Sequence, residues 1–190
     1  MGLSSPNRIV WLYFAALRRS VLDLDSSNGD DERKGNIAIC IMLAVSVVEA
    51  FLNVLFRVAI SEPEFASKAP SILKDLESRK SLDFKLKDWP ARVFGKGLDL
   101  EAPRIEAFFA LKERRNGLMH FTSSHESLAV PGIGIDGLAD TSVFDDLTPS
   151  DAATALEVAE DMVGELLRLR GIPEAQIPHA LHAWTGRVSS

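Results

Sequence analysis

Apolar residues recur along this chain at intervals of three and four, the spacing of amphipathic helices rather than strands. Ser5-Pro6 is typical of an N-cap followed by proline at the first helical position, and the apolar pattern continues to about Leu24. The polar stretch Asp25–Gly35 is interpreted as a loop. A longer apolar segment, Asn36–Ile60, follows it. We therefore expect two long helices joined by a polar loop.

The segment Asn36–Ile60 is long enough to span a bilayer, which takes about 20 apolar residues. Glu49, Asn53 and Arg57 interrupt it at intervals of four, so they share one helical face. Because such side chains are costly in lipid, we interpret the segment as the central helix of a bundle and expect no membrane contact. Two environments stay open for the polar face: solvent, or a contact with the Arg115 region or a second subunit.

The next stretch, Glu62–Gly97, is interpreted as a connector with short helical pieces. Its patterns predict short helices at Ser71–Ser78 and Ser81–Leu86. Trp89-Pro90 predicts a helix boundary, because a residue that precedes proline avoids the helical region. The glycines of Gly95-Lys96-Gly97 predict the end of the connector.

The second half of the chain predicts two further helices, separated by a long loop at 122–148. Pro103 opens the first helix, and Thr148-Pro149-Ser150-Asp151 opens the second, which is expected to stop at Gly171. Within the loop, Pro131–Gly137 lacks the pattern of a phosphate-binding loop and predicts a short extended turn or hairpin. Residues 172–190 are expected to form a C-terminal tail with a short helix near its middle.

These elements predict an all-α fold: an up-and-down helical bundle of about four to five main helices in a single domain, 1–190. Apolar residues make up 46% of the chain and charged residues 25%, which is ordinary globular usage. One cysteine, Cys40, and four scattered histidines make a disulfide framework or a zinc site unexpected. The single cysteine and the lack of a signal-peptide pattern in the first residues predict a cytoplasmic location. No metal or cofactor is expected.

Charge is unevenly distributed along the chain, although the net value is only −6. Residues 79–96 are rich in lysine and arginine, whereas residues 121–167 contain no lysine or arginine and ten acidic residues. A polyanion would be attracted to the first region and repelled by the second. The candidate polyanion-binding residues are therefore basic side chains of the first region, Lys85, Lys87, Arg92 and Lys96, with ordinary solvated surface charge as the alternative.

The end of the Pro103 helix collects an arginine, an amide and a histidine. At about 100° per residue, Asn116 and His120 lie roughly 100° and 140° from Arg115 around the helix axis. Glu113 shares a face with Asn116 and His120, while Arg114 points away. Histidine moves protons near neutral pH and arginine offers a forked donor to phosphate, so this combination suits phosphodiester cleavage. Gly117 lies within the last turn, where it leaves three interpretations open. A second helix crosses closely there, a ligand occupies the space, or the helix end frays.

The pattern Arg115-Asn116-x-x-x-His120 resembles the R-x(4–6)-H motif of HEPN domains (higher eukaryotes and prokaryotes nucleotide-binding). The surrounding sequence is also similar to bacterial stand-alone HEPN proteins. Its matching parts are Glu49-Ala50-Phe51-Leu52-Asn53, Ser81-Leu82-Asp83-Phe84-Lys85 and Leu98-Asp99-Leu100. The resemblance covers roughly Asn36–Phe121, and the helix at 148–170 fits as a closing helix.

The resemblance implies a homodimer in which two motifs meet in one cleft, and a metal-independent endoribonuclease of a toxin–antitoxin or anti-phage system. RNA would be cleaved by its own 2′-hydroxyl, with His120 in proton transfer and Arg115 in charge stabilisation. Asn116 would orient Arg115, with Glu49, Asn53 and Glu113 as supporting residues. An antitoxin or defence-system protein is a possible partner. The alternative is a non-catalytic HEPN-like interaction or regulatory module that dimerises or binds a nucleotide or a protein. A helical bundle without a site is a third, weaker reading.

Overall fold

A computed structural model describes residues 5–119, 128–130, 133–135 and 142–187. Within these residues the chain folds into eight helices and one small hairpin. The helices are α1 (Arg8–Leu22), α2 (Asp30–Ala59), α3 (Ala69–Glu77), α4 (Leu82–Phe94), α5 (Pro103–Met119), α6 (Ser142–Asp145), α7 (Pro149–Leu169) and α8 (Ile177–Thr185). The strands are β1 (Leu128–Val130) and β2 (Ile133–Ile135), with short 3₁₀ turns at Asp23–Ser26, Ala66–Lys68 and Glu174–Gln176. The all-α prediction is confirmed.

Helix α2 is the centre of the bundle. It packs most extensively against α7 and α1, and then against α5. Among the described helices it alone is long and apolar enough to cross a membrane, since an 18-residue window has a mean hydropathy of 2.4. In this fold 56% of that window is buried. Its apolar side chains form the core with those of α1, α5 and α7, as expected for a central bundle helix.

The polar loop predicted at Asp25–Gly35 is wrong in its second half, because α2 begins at Asp30. Acidic side chains at 30–32 occupy the first turn, where the positive end of the helix dipole favours them. The Glu32 carboxylate accepts a hydrogen bond from the backbone N–H of Asn28 at 2.6 Å. Residues that resemble a polar loop in sequence therefore form the start of a helix.

The helix boundary predicted at Trp89-Pro90 is also wrong, because Pro90 lies inside α4. A proline inside a helix costs about 3 kcal/mol. Here Trp89 is fully buried, its indole N–H donates to Asp75 at 3.2 Å, and its ring packs edge-on against Phe56. These tertiary contacts hold the helix together through the proline, and Gly95 (φ 73°) follows its last residue, Phe94.

The remaining elements follow local sequence signals. Pro103 opens α5, and Gly171 adopts φ 94° beyond the end of α7. β1 and β2 pair antiparallel, with Val130 opposite Ile133, which confirms the predicted hairpin. The C-terminal tail carries α8, and α8 packs against α1 and α7 with Ile177 and Leu181 buried. This segment is thus an integral part of the bundle.

Asp151 caps α7 at its N-terminus. Its carboxylate accepts hydrogen bonds from the backbone N–H of Thr148 at 2.7 Å and from the Thr148 hydroxyl at 2.9 Å. Arg114 of α5 donates to the same carboxylate at 2.5 Å. Burial acts to raise the pKa of Asp151, but the hydrogen bonds from Arg114 and Thr148 outweigh it and lower the pKa.

We expect Asp151→Asn to lower the free energy of unfolding at pH 7 by about 1–2 kcal/mol, because it weakens the cap and the ion pair. The lowered pKa makes this contribution complete above the unfolded-state value of about 3.9, and it is lost as the pH falls through the folded-state pKa. Urea unfolding at pH 7 and at acidic pH measures the difference, which should shrink in acid. Glu157→Gln, on an exposed position of α7, is the control. If Asp151→Asn lowered the free energy of unfolding by the same amount at both pH values, the lowered pKa of Asp151 would be contradicted.

Candidate functional site

The predicted motif lies at the C-terminal end of α5, and the structure describes part of it. Arg115 and Asn116 belong to the helix, which ends at Met119. His120 lies outside the described residues. Glu113 and Asn116 share a face, as helix geometry predicts, and the Asn116 amide donates to the Glu113 carboxylate at 3.4 Å. Arg114 points away, as predicted, and pairs with Asp151 of α7.

Arg115 points toward the bundle rather than along the exposed face. The residues one turn before and after it, Leu111 and Leu118, are both buried. The side chain of Arg115 is half-buried, and its Nε has no hydrogen-bond partner within the described part of the chain. An unpaired, buried guanidinium N–H is costly and is readily satisfied by an anion. Asn116, expected to orient Arg115, is instead bonded to Glu113.

Two buried lysines organise the charges around this site. Lys85 of α4 has a side chain only 6% exposed and donates to Glu49 of α2 at 2.7 Å. Lys112 of α5 is 9% exposed and donates to Asp83 of α4 at 2.7 Å, and it also pairs with Glu113 at 2.7 Å. The two lysines thus tie α4 to α2 and to the motif helix.

These pairs revise the supporting residues predicted from the sequence. Glu49, expected to tether Arg115, instead pairs with Lys85. Asn53 is half-buried, with an Oδ1 that finds no partner among the described residues, and Arg57 is exposed. Lys112 was not anticipated as part of the site. The signal for it was present, since Lys112 falls on the same helical stripe as Ile105 and Phe108.

The four basic residues predicted to bind a polyanion, Lys85, Lys87, Arg92 and Lys96, divide into two pairs. Lys85 is buried against Glu49, and Arg92 pairs with both Asp75 and Asp88, so these two cations are already neutralised within the fold. Lys87 and Lys96 are exposed. The Lys87 ammonium lies 5.6 Å from the centre of the Phe109 ring. A cavity of about 360 Å³ opens beside it, lined by Lys87, Leu100, Glu106 and Phe109.

Opposing effects set the pKa values of the charged cluster. Burial acts to lower the pKa of Lys112, but hydrogen bonds to Asp83 and Glu113 outweigh it and raise the pKa. The hydrogen bond from Lys112 in turn lowers the pKa of Glu113. The charged Lys112 therefore stabilises the fold until the pH rises through its raised pKa. The ionised Glu113 stabilises the fold until the pH falls through its lowered pKa. In the described segments, no group of three or more His, Cys, Asp or Glu residues is placed to hold a metal ion.

Comparison with known protein families, with characterised proteins and with solved structures finds no match to this chain.

Replacing Lys112 by methionine should raise the pKa of Glu113 toward its ordinary value of about 4.3, since the ammonium that favours the ionised carboxylate is gone. Carboxyl-carbon NMR titration of Glu113 measures this directly. Lys87→Met, which removes an exposed lysine of α4, should leave the titration of Glu113 unchanged. An ordinary pKa for Glu113 in the wild type would show that the ion pair between Lys112 and Glu113 does not form in solution.

Gly117 is a helical residue with open space beside it. Among the described residues, a Cβ added there would meet only Val143 Cγ2, at 3.9 Å, an ordinary contact distance. No close helix crossing occurs at this position within the described part of the chain. Gly117→Ala should therefore raise the free energy of unfolding by up to about 1 kcal/mol, because alanine favours the helix.

Gly171→Ala provides a matched change of opposite sign, since Gly171 adopts φ 94°, which strains any residue with a Cβ. Thermal or urea unfolding of both variants measures the contrast. Destabilisation by Gly117→Ala would show that this turn does not keep its helical form in solution.

Proposed function

We propose that this chain is a HEPN-type, metal-independent endoribonuclease that acts as a homodimer. The observation that carries the proposal is the combination Arg115-Asn116-x-x-x-His120 at the end of α5, with the Arg115 Nε buried and unpaired among the described residues. An arginine without an internal acceptor is suited to bind an anionic phosphate. A cytoplasmic toxin–antitoxin or anti-phage setting is part of this proposal.

The proposed reaction uses the RNA itself as nucleophile. The 2′-hydroxyl attacks the adjacent phosphorus while its proton is removed, the bond to the 5′-oxygen breaks, and that oxygen receives a proton. The products are a 2′,3′-cyclic phosphate and a 5′-hydroxyl. His120 is assigned the proton transfers, and the guanidinium of Arg115 stabilises the negative charge that builds up on the phosphate oxygens. Lys87 and Lys96 are the exposed cations proposed to hold the strand.

A second candidate function is a non-catalytic HEPN-like module that binds a nucleotide or a protein partner. The observation that favours it is the engagement of Asn116 with Glu113, which leaves Arg115 without its expected neighbour. In that case the Arg115 guanidinium contributes to binding or to dimer packing, without turnover. The two functions differ in whether purified protein produces RNA fragments.

Arg115→Ala and His120→Ala should each reduce RNA cleavage by at least about a hundredfold, the usual range for loss of a general acid–base or charge-stabilising group. The products of the wild type should carry 2′,3′-cyclic phosphate ends by mass spectrometry, and cleavage should persist in EDTA.

Arg114→Gln is the matched control, because Arg114 neighbours Arg115 in the chain but is itself paired with Asp151. This variant should lose stability and keep its cleavage rate. If His120→Ala cleaves as well as the wild type, the ribonuclease assignment is wrong. If the wild type is inert across pH 6–9 while binding a nucleotide, the second candidate is correct.

A further inference from the structure

One straight line of residues on α2 stays unburied, although the helix is apolar on nearly every side. Its eight members are Glu32, Asn36, Ile39, Leu43, Ser46, Ala50, Asn53 and Arg57, each half-buried or exposed. Their spacing alternates four and three residues without interruption, as along the contact line of a coiled coil. Ile39 at its centre is 50% exposed. We call this line the α2 seam.

Helix α1 widens the seam into an apolar face. Ser20 of α1 lines one cavity together with Asn36 and Ile39, which places α1 directly beside the seam. On the same side of α1, Ile9 and Tyr13 are 47% and 41% exposed. Exposed apolar side chains on two adjacent helices are typical of an interaction surface.

The side chains of the seam complement one another when two copies lie antiparallel. With a twofold axis between Ala44 and Val45, residues whose numbers sum to 89 face each other. The facing pairs are Glu32 with Arg57, Asn36 with Asn53, Ile39 with Ala50, and Leu43 with Ser46. Opposite charges meet, amides meet, and each large apolar side chain meets a small residue.

An in-register parallel arrangement keeps amides opposite amides but loses the matches of charge and of side-chain size. It would set Glu32 against Glu32 and Arg57 against Arg57, and like charges in contact are destabilising. The antiparallel register also buries a length of about 37 Å, at 1.5 Å per residue. Its small residues, Ser46 and Ala50, allow the two helices to approach closely.

We propose that a second copy of this chain docks antiparallel on the α2 seam, in the register that pairs Glu32 with Arg57 of the second copy. This surface gives the homodimer of the proposed function its location. The inference itself depends only on the seam and is tested by association, without reference to RNA cleavage.

The first test places an arginine at the centre of the seam. Ser46→Arg sets two cations beside the apolar pairs of the dimer, so it should raise the dissociation constant by about a hundredfold. Ala153→Arg, on an exposed position of α7, is the matched control and should dimerise like the wild type. Sedimentation velocity of the full chain measures association, and circular dichroism verifies folding. A monomeric wild type, or a folded Ser46→Arg variant that dimerises normally, would overturn the proposal.

The second test fixes the register. Glu32→Arg and Arg57→Glu should each weaken the dimer by about tenfold, and the double variant should restore it, because the pair is re-formed with its charges exchanged. Failure of the double variant to recover would overturn the register. Cleavage assays on the same samples keep the two proposals separate. A wild-type dimer that is inert on RNA contradicts the ribonuclease alone, and an active wild-type dimer that Ser46→Arg leaves intact contradicts the seam alone.

Discussion

A thirty-residue helix that is apolar on nearly all sides must be covered on nearly all sides, and this constraint governs the fold. α7, α1 and α5 provide most of the cover, and α3 and α4 complete it. The covering helices are themselves amphipathic, so each can bury one stripe and keep the other in water. The position of the motif helix is therefore a consequence of how α2 is buried.

The same constraint explains the buried lysines. α4 and α5 approach α2 closely enough that Lys85 and Lys112 lose most of their solvent. An unpaired ammonium there would be very costly, so each lysine is matched with carboxylates that remain partly in water. Glu49 and Asp83 thus neutralise charge that helix packing has drawn inward. This arrangement makes the charges near Arg115 a property of three helices together rather than of the motif alone.

Local signals in the sequence predicted the fold well where local chemistry decides the structure. Pro103, the Thr148–Asp151 cap and Gly171 mark helix ends in sequence and in structure alike. Predictions failed where distant packing or context decides. Pro90 stays helical because Trp89 is anchored in the core, and the acids at 30–32 begin a helix because the following apolar segment continues it.

The candidate site shows the same division. Helix periodicity alone separated Arg114 from Glu113 and Asn116, and the structure confirms that separation. The pairing of Glu49 with Lys85, 36 residues away, depends on how α4 packs against α2, which periodicity does not encode. Resemblance to a family supplied roles for individual residues but not their neighbours. The residues that surround Arg115 could be identified only from the packing of the helices.

The ion pair between Arg114 and Asp151 has a consequence for the chain between them. It joins the last turns of α5 to the first turn of α7, so both ends of the long intervening connection are anchored to the bundle. Once loop ends are fixed, doubling the loop length costs only about 0.6 kcal/mol in closure entropy. Lengthening the chain between Met119 and Ser142 therefore adds little to the entropic cost of closing it.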